Sequence, residues 1–263
     1  MIIRYLGQVG FLFQHHGLTV VIDPYLSDSV AEADSIWVRN YRPPVQPHAL
    51  HGVDLVLCTH DHGDHTDPES LLGILSASPK CHFAGPKISA REMERAGIPQ
   101  SQITVLNEDS GLTLRDLTVE PVAAAHEEYE TDPEGHHRFL GYLLHWDGIT
   151  LYHAGDTVVT PELENAVGQH AIEIGFLPIN GRSDERHKQD IVGNMDAAEA
   201  IRFSAALAKK KGFHLLVPTH YDLFAINGAE LAHFAAIWEK TPEPKPKFRS
   251  FRPGEQIVYQ RSS

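Results

Sequence analysis

THDHGDHTD, Thr59–Asp67, sets His60, His62 and His65 beside Asp61 and Asp64 within six consecutive positions. Such a run is either a solvated polar loop or part of a metal site, and its surroundings distinguish the two. It is preceded by VDLVLC (Val53–Cys58), a short continuous apolar run that suits a strand buried on both faces. It is followed by DPESLLGILSAS, in which Asp67 and Pro68 form a helix start and the apolar spacing suits a helix. The cluster therefore sits where a rigid strand ends and a loop is free to bend around an ion. His60 and His62 lie two apart, which puts them on one side of an extended segment. Gly63 then lets the chain turn and present Asp64 and His65.

Three more strand-like runs end in the same kind of residue: PVAAAH at His126, TLYHAGD at Asp156 and LLVPTH at His220. His153, three residues before Asp156, reads as a packed residue rather than a ligand. The pooled set is five histidines and two aspartates. That suffices for two neighbouring ions, each with about three protein ligands and Asp156 between them. Nitrogen and oxygen donors without thiolate suit zinc, manganese or iron. The two cysteines, Cys58 and Cys81, make neither a disulfide framework nor a thiolate motif and read as small buried hydrophobes.

The rest of the chain alternates between strand and helix patterns. IIRYLG, GFLFQHH and LTVVID read as three strands, the last two joined by a tight turn at His15, His16 and Gly17. Residues 27–52 read as a long loop, and loops of that length are functional or disordered. CHFAGP, ITVL, LTLRDLTVEPVAAAH, FLGYLLHWDG and ITLYHAGD read as strands, with Asp147 and Gly148 marking a hairpin. KISAREMERAG, PELENAVGQH, the long NMDAAEAIRFSAALAKKKG and GAELAHFAAIWEK read as helices, and IEIGFLPI and FHLLVPTH as strands between them. A spacer, EPKPK, precedes FRSFRPGEQIVYQ, which reads as a closing hairpin. No linker separates independent cores, so residues 1–263 are expected to form one α/β domain. Its expected architecture is a four-layer αβ/βα sandwich of two mixed β-sheets with helices outside.

In that order and spacing, HDHGDH fits the H-x-H-x-D-H signature of the metallo-β-lactamase superfamily. VVIDPYL, His126, HAGD and PTH follow in the superfamily's sequence, so the resemblance runs from Ile2 to about Asp222. It implies the metallo-β-lactamase fold and two divalent cations, zinc or manganese. By resemblance one ion takes His60, His62 and His126, the other takes Asp64, His65 and His220, and Asp156 is shared. Asp23 resembles the early structural aspartate near the site, although DP also opens turns.

Within the superfamily the chain resembles the ascorbate-6-phosphate lactonases. The shared stretches are YRPPVQPHALHGVDLVLCTHDHGDHTD, FAGPK, AGIPQSQITVLNEDSG, LYHAGDT and the NMDAAEA helix before VPTHYD. The implied chemistry is hydrolysis, with water activated between the two cations and Asp64 as both ligand and proton acceptor. A phosphorylated sugar lactone is the expected substrate, and a small phosphodiester the alternative. Asn180, Arg182 and Tyr221 are the expected substrate contacts, Arg182 first because a guanidinium binds phosphate bidentately. A diiron redox enzyme on this fold would carry Glu at the second ligand position, where this chain has His62.

Composition narrows the remaining classes. With 42 % hydrophobic and 22 % charged residues the chain has ordinary globular composition. The net charge of −13 opposes attachment to a phosphate backbone, which needs Lys and Arg, and so argues against nucleic acid. No apolar run approaches the roughly 20 residues that span a bilayer. The alternating start MIIRYLGQVGFLF lacks a leader pattern, so a cytoplasmic location is the expectation. A homo-oligomer is left open.

Overall fold

The computed structural model describes residues 1–260 and holds two seven-stranded mixed sheets. Contacts divide the chain into two compact units, each built around one sheet.

The first unit comprises Met1–Leu106, Leu223–Ala225 and the chain from Phe251 onward. Its sheet begins with the antiparallel strands β1 (Ile2–Gly7), β2 (Gly10–His15) and β3 (Leu18–Ile22). Beyond β3 the strands β4 (Leu55–Leu57), β5 (His82–Gly85) and β6 (Ile103–Val105) run parallel to one another. Every residue of β3 and β4 is buried, which explains their uninterrupted apolar sequence. Between β3 and β4 lies a short helix, α1 (Ser29–Ala33); α2 (Pro68–Ala77) and α3 (Lys87–Ala96) follow β4 and β5. Leu71 and Ile74 of α2 and Met93 of α3 bury their side chains with Val21, Val56 and Phe83 of the sheet. Asp67 starts α2 by accepting the backbone N–H of Glu69 and of Ser70, the orphan donors of a first turn. Gly97 ends α3 at φ +104°, a left-handed position that suits glycine.

Residues 27–52 are more structured than a plain loop, for they carry α1 and a 3-10 turn at Pro47–Ala49. Polar clamps order this segment where apolar periodicity gives no sign of it. The Asp67 carboxylate accepts the hydroxyls of Ser27 (2.7 Å) and Ser29 (2.9 Å). Arg39 donates to the carbonyl oxygens of Tyr25 (3.2 Å) and Ser27 (2.6 Å), with its guanidinium 4.7 Å from the Tyr25 ring centre.

The second unit comprises Asn107–Asp222 and Ile226–Ser250. Its sheet runs β7 (Leu112–Leu114), β8 (Leu117–Ala123), β9 (Leu140–Trp146), β10 (Ile149–His153), β11 (Ile172–Pro178), β12 (Phe213–Thr219) and β13 (Lys247–Phe248) in spatial order. It is antiparallel through β10 and parallel from β10 to β13. The helices are α4 (Pro161–Val167), α5 (Asp184–His187), α6 (Ala197–Lys210) and α7 (Leu231–Lys240). An Asp196–Glu199 capping box starts α6. Ile201, Phe203 and Leu207 of α6 then pack with Leu163 of α4, Leu216 of β12 and Phe234 of α7. The stretch containing α5 carries no apolar period, and its helical turn is held by the Ser183 hydroxyl accepting the N–H of Arg186.

The closing hairpin expected from FRSFRPGEQIVYQ does not form. Its first residue, Phe248, belongs to β13, which pairs parallel with β12, whereas its later part holds β14 (Gln256–Val258), which pairs antiparallel with β1 in the other sheet. Alternation shows that a segment is a strand but not which strand it pairs with, and here both partners are distant in sequence.

Cys58 and Cys81 are fully buried thiols. Burial pushes both above the usual thiol range, Cys81 to about 12, and the Asp23 carboxylate adds to the effect at Cys58. A thiol without thiolate character is inert. Disulfide-exchange reagents at pH 8 are therefore expected to titrate no cysteine in the native chain and both after denaturation. Rapid labelling of the native chain would contradict this burial.

Candidate metal-binding site

In the first unit four candidate ligands follow β4 in one tight segment. The strand direction is carried past Leu57 by the Cys58 N–H bonded to the Ala84 carbonyl. A turn then forms, with the N–H groups of His65 (2.9 Å) and Thr66 (2.8 Å) both on the His62 carbonyl. The Thr66 hydroxyl donates to the His60 carbonyl and closes the loop. The His60 ring lies 4.6 Å from that of His62 and 3.9 Å from that of His65, centre to centre. His60 and His65 are buried, while His62 and Asp64 are partly exposed.

Asp23 is the keystone of this cluster. It follows β3 in a left-handed conformation (φ +44°), which aspartate tolerates better than most residues. Its carboxylate accepts the Thr59 N–H (2.8 Å), the Thr59 hydroxyl (2.6 Å) and the His65 Nδ1–H (2.9 Å). A carboxylate can only accept here, so the His65 proton is placed on Nδ1 and the lone pair on Nε2. That Nε2 lies 3.8 Å from Asp64 Oδ2, which also accepts the Gln8 side-chain amide at 2.8 Å.

In the second unit the other three candidates stand at the ends of β8, β10 and β12. His126 follows β8, where Ala125 N–H donates to the Thr157 hydroxyl (3.0 Å) and Val158 N–H to the Ala125 carbonyl (2.8 Å). Its Nδ1–H donates to the Gly193 carbonyl (2.9 Å), which again leaves the lone pair on Nε2. Asp156 follows β10, one residue after Gly155 (φ +60°), and is buried. His220 follows β12 in a left-handed conformation (φ +57°), a strained position of the kind concentrated at functional sites. Asp156 Oδ2 lies 3.2 Å from His220 Nε2 and 3.8 Å from His126 Nε2.

In each unit a buried carboxylate or carbonyl orients an imidazole through Nδ1 and aims Nε2 toward a further carboxylate. A metal-ligating histidine has this arrangement, its second ring nitrogen donating to an oxygen outside the coordination sphere. The donor set fits a divalent cation. His153 is buried and stacks on Phe176 at 5.9 Å, and its Nδ1 accepts the Gly155 N–H, so it serves packing and the turn.

The expected substrate contacts are placed as follows. Arg182 lines a cavity of about 440 Å³ together with His126, Glu127, Glu128, Glu130 and Val158. Its guanidinium holds the Glu199 carboxylate through two bonds of 2.8 and 2.7 Å and also donates to the Asn194 carbonyl. The Glu199 bond raises the Arg182 pKa further above its ordinary value. Asn180 is buried in an amide chain, donating to Asn227 (2.9 Å) and accepting from Asn194 (3.1 Å). Tyr221 packs against the apolar cluster of the second unit. Arg186 staples a loop through the carbonyls of Asn180, Ile226 and Gly228, and burial lowers its pKa.

Sequence reading did not single out Gln8, Thr59, Glu127 or Gly193, all of which help to hold the candidate ligands in place. Glu127 accepts the Gly193 N–H (2.6 Å) and His187 Nε2–H (2.7 Å), and so fixes the peptide whose carbonyl holds His126. Burial alone would raise the Glu127 carboxyl; the bonds from His187 and Gly193 outweigh it and hold the group below the usual carboxylate range. Gly193 has no room for a side chain, since a Cβ would come within 2.2 Å of Arg182 Cβ. Adjacency to His126 was the only sequence signal for Glu127, and nothing marked Gln8.

Comparison with known proteins places the chain in a family. Residues 19–221 match the family model of the β-lactamase superfamily domain. A protein of Myxococcus xanthus named "UPF0173 metal-dependent hydrolase" is 29% identical over 229 residues, covering 84% of this chain and 70% of that protein. The "Probable L-ascorbate-6-phosphate lactonase UlaG" of Escherichia fergusonii is 24% identical over 79% of this chain and 60% of its own length. Among solved structures, the metallo hydrolase Igni18 of Ignicoccus hospitalis superposes with a TM-score of 0.71 at 22% identity, covering 100% of both chains. The chain thus belongs to the metallo-β-lactamase superfamily of metal-dependent hydrolases and has its α/β fold of two mixed sheets with flanking helices.

Proposed function

We propose that the two ligand clusters supply one dinuclear centre, and that the chain opens a small phosphorylated lactone. One cation is assigned to His60, His62 and His126, the other to Asp64, His65 and His220, with Asp156 common to both. The observation that carries the reading is the matched orientation of His65 and His126, each with Nδ1–H held by an oxygen and Nε2 presented to a carboxylate. Bound divalent cations, zinc or manganese, would polarise a carbonyl oxygen and bring the pKa of water near neutrality.

The protein's own groups do the rest. Asp64, its Oδ2 held by Gln8, accepts the proton of the attacking water. Asp23 keeps the His65 proton on Nδ1, and Gly193 does the same for His126. Arg182, fixed by Glu199 and lining the cavity beside His126, meets the substrate phosphate. The relative from Escherichia fergusonii, named for lactonase activity, supports this substrate class.

The test compares a phosphorylated sugar lactone, its dephosphorylated form and bis(p-nitrophenyl) phosphate, using protein reloaded separately with zinc and manganese. The phosphorylated lactone is expected to be opened fastest. Arg182→Ala is expected to raise KM for that lactone with little change in kcat, the mark of a contact made equally in ground and transition states. Turnover of the phosphodiester alone would replace the lactonase reading by the phosphodiesterase one.

A further inference from the structure

Outside the candidate centre, a further group of metal-ligating side chains converges within the second unit: Glu120, His145 and His170, with one ligand atom of each within 4.8 Å of the others. Glu120 and His145 lie on neighbouring strands, β8 and β9. The register pairs Thr118 with His145 and Glu120 with Leu143, so Glu120 is one diagonal step from His145 on the same sheet face. His170 comes from the turn between α4 and β11. Three separate elements thus contribute one donor each.

We propose that Glu120, His145 and His170 form a further, peripheral site for a divalent cation of the zinc class, independent of the hydrolytic centre. The Nε2 of His145 lies 2.9 Å from Glu120 Oε2, and that of His170 lies 3.5 Å from Glu120 Oε1. The second separation is long for a hydrogen bond to a carboxylate. It is close to the spacing of about 3.3 Å between two ligands that each stand ~2.0–2.1 Å from a tetrahedral ion. The rings lie 5.3 Å apart at 38°, so both nitrogens face the same carboxylate.

The surroundings suit the role. His145 Nδ1 is 3.3 Å from the Thr150 hydroxyl on β10, an acceptor for the proton that a ligating imidazole carries on its other nitrogen. Burial, and to a smaller degree His145, lower the proton affinity of His170 against the opposing pull of Glu120, which favours the neutral, metal-competent ring. Side-chain exposures of 46 % for Glu120, 32 % for His145 and 24 % for His170 let water complete the coordination. Two imidazoles and a carboxylate are a donor set for zinc rather than for calcium or magnesium. An ion there would tie the end of α4 to β8 and β9.

Chelator-stripped whole chain is dialysed to equilibrium against zinc, and bound zinc is counted for the wild type, His170→Gln and Glu120→Gln. Each variant is expected to bind one zinc fewer than the wild type while retaining hydrolytic activity, since neither residue belongs to the proposed centre. Zinc is also expected to raise the Tm of the wild type more than that of either variant. Because Glu120→Gln keeps the shape of a partly exposed side chain while removing its charge, it reports on the site even if His170→Gln folds poorly. Equal zinc binding in the wild type and a folded variant would overturn the proposal. Loss of hydrolytic activity with unchanged zinc would overturn its independence from the centre. A failure of the lactonase reading would leave the zinc count untouched.

Discussion

Replacing Asp156 with alanine is expected to lower kcat/KM by more than about 100-fold while leaving the metal-free fold in place. Loss of a group outside the coordination sphere already costs roughly 10–100-fold in metal affinity or activity, and a shared ligand should exceed that range. Asp156 is buried, with Oδ2 3.2 Å from His220 Nε2 and 3.8 Å from His126 Nε2. Without it those two imidazoles lose the anion between them, and neither proposed cation keeps a full set of protein ligands. Its backbone position is set by Gly155 and the end of β10, so the sheet does not depend on the carboxylate. Metal content measured beside kcat/KM checks the cause: activity and bound metal should fall together. Full metal content with lost activity would point to a role other than ligation.

Asp23→Ala is expected to have the largest effect on stability, about 3 kcal/mol or more in the metal-free chain, because three buried donors lose their acceptor and a buried unsatisfied group costs roughly 1–3 kcal/mol. Its carboxylate is fully buried and accepts three hydrogen bonds, two from Thr59 and one from His65. Asp23→Asn separates the structural from the chemical role. The amide oxygen can still take the Thr59 N–H, but an amide NH2 facing His65 Nδ1 pushes the imidazole proton to Nε2. The lone pair then points at the substituted amide and away from the metal side. A small stability loss with a 10–100-fold loss of metal affinity is therefore expected for the asparagine variant, measured by denaturant unfolding and zinc competition. If affinity is unchanged, the tautomer is not set by Asp23.

The candidate ligands stand out in the sequence because metal chemistry restricts residue type and because each one follows an apolar run. HDHGDH after VDLVLC, and single residues after PVAAA, TLYHAG and LLVPT, mark strand ends in the sequence itself, and the structure puts β4, β8, β10 and β12 there. The helices were equally plain where a cap and a periodic face coincide, as at Asp67 for α2 and Asp196 for α6. What stayed hidden depends on contacts distant in sequence. The partners of β13 and β14 are chosen by sheet edges rather than by their own alternation. The ordering of residues 27–52 rests on Asp67 and Arg39, and Gln8 reaches Asp64 from 56 positions away. Arg182 illustrates the same limit from the other side. Its charge suggested a phosphate contact, and only the fold reveals that Glu199 fixes the guanidinium where it lines the cavity.

The most direct test of the account is the anomalous scattering from a crystal of the zinc-loaded chain. Two peaks roughly 3.5–4 Å apart are predicted among His60, His62, Asp64, His65, His126, Asp156 and His220, with Asp156 touching both. A single peak that leaves either histidine cluster unligated, or zinc bound only elsewhere, would contradict it.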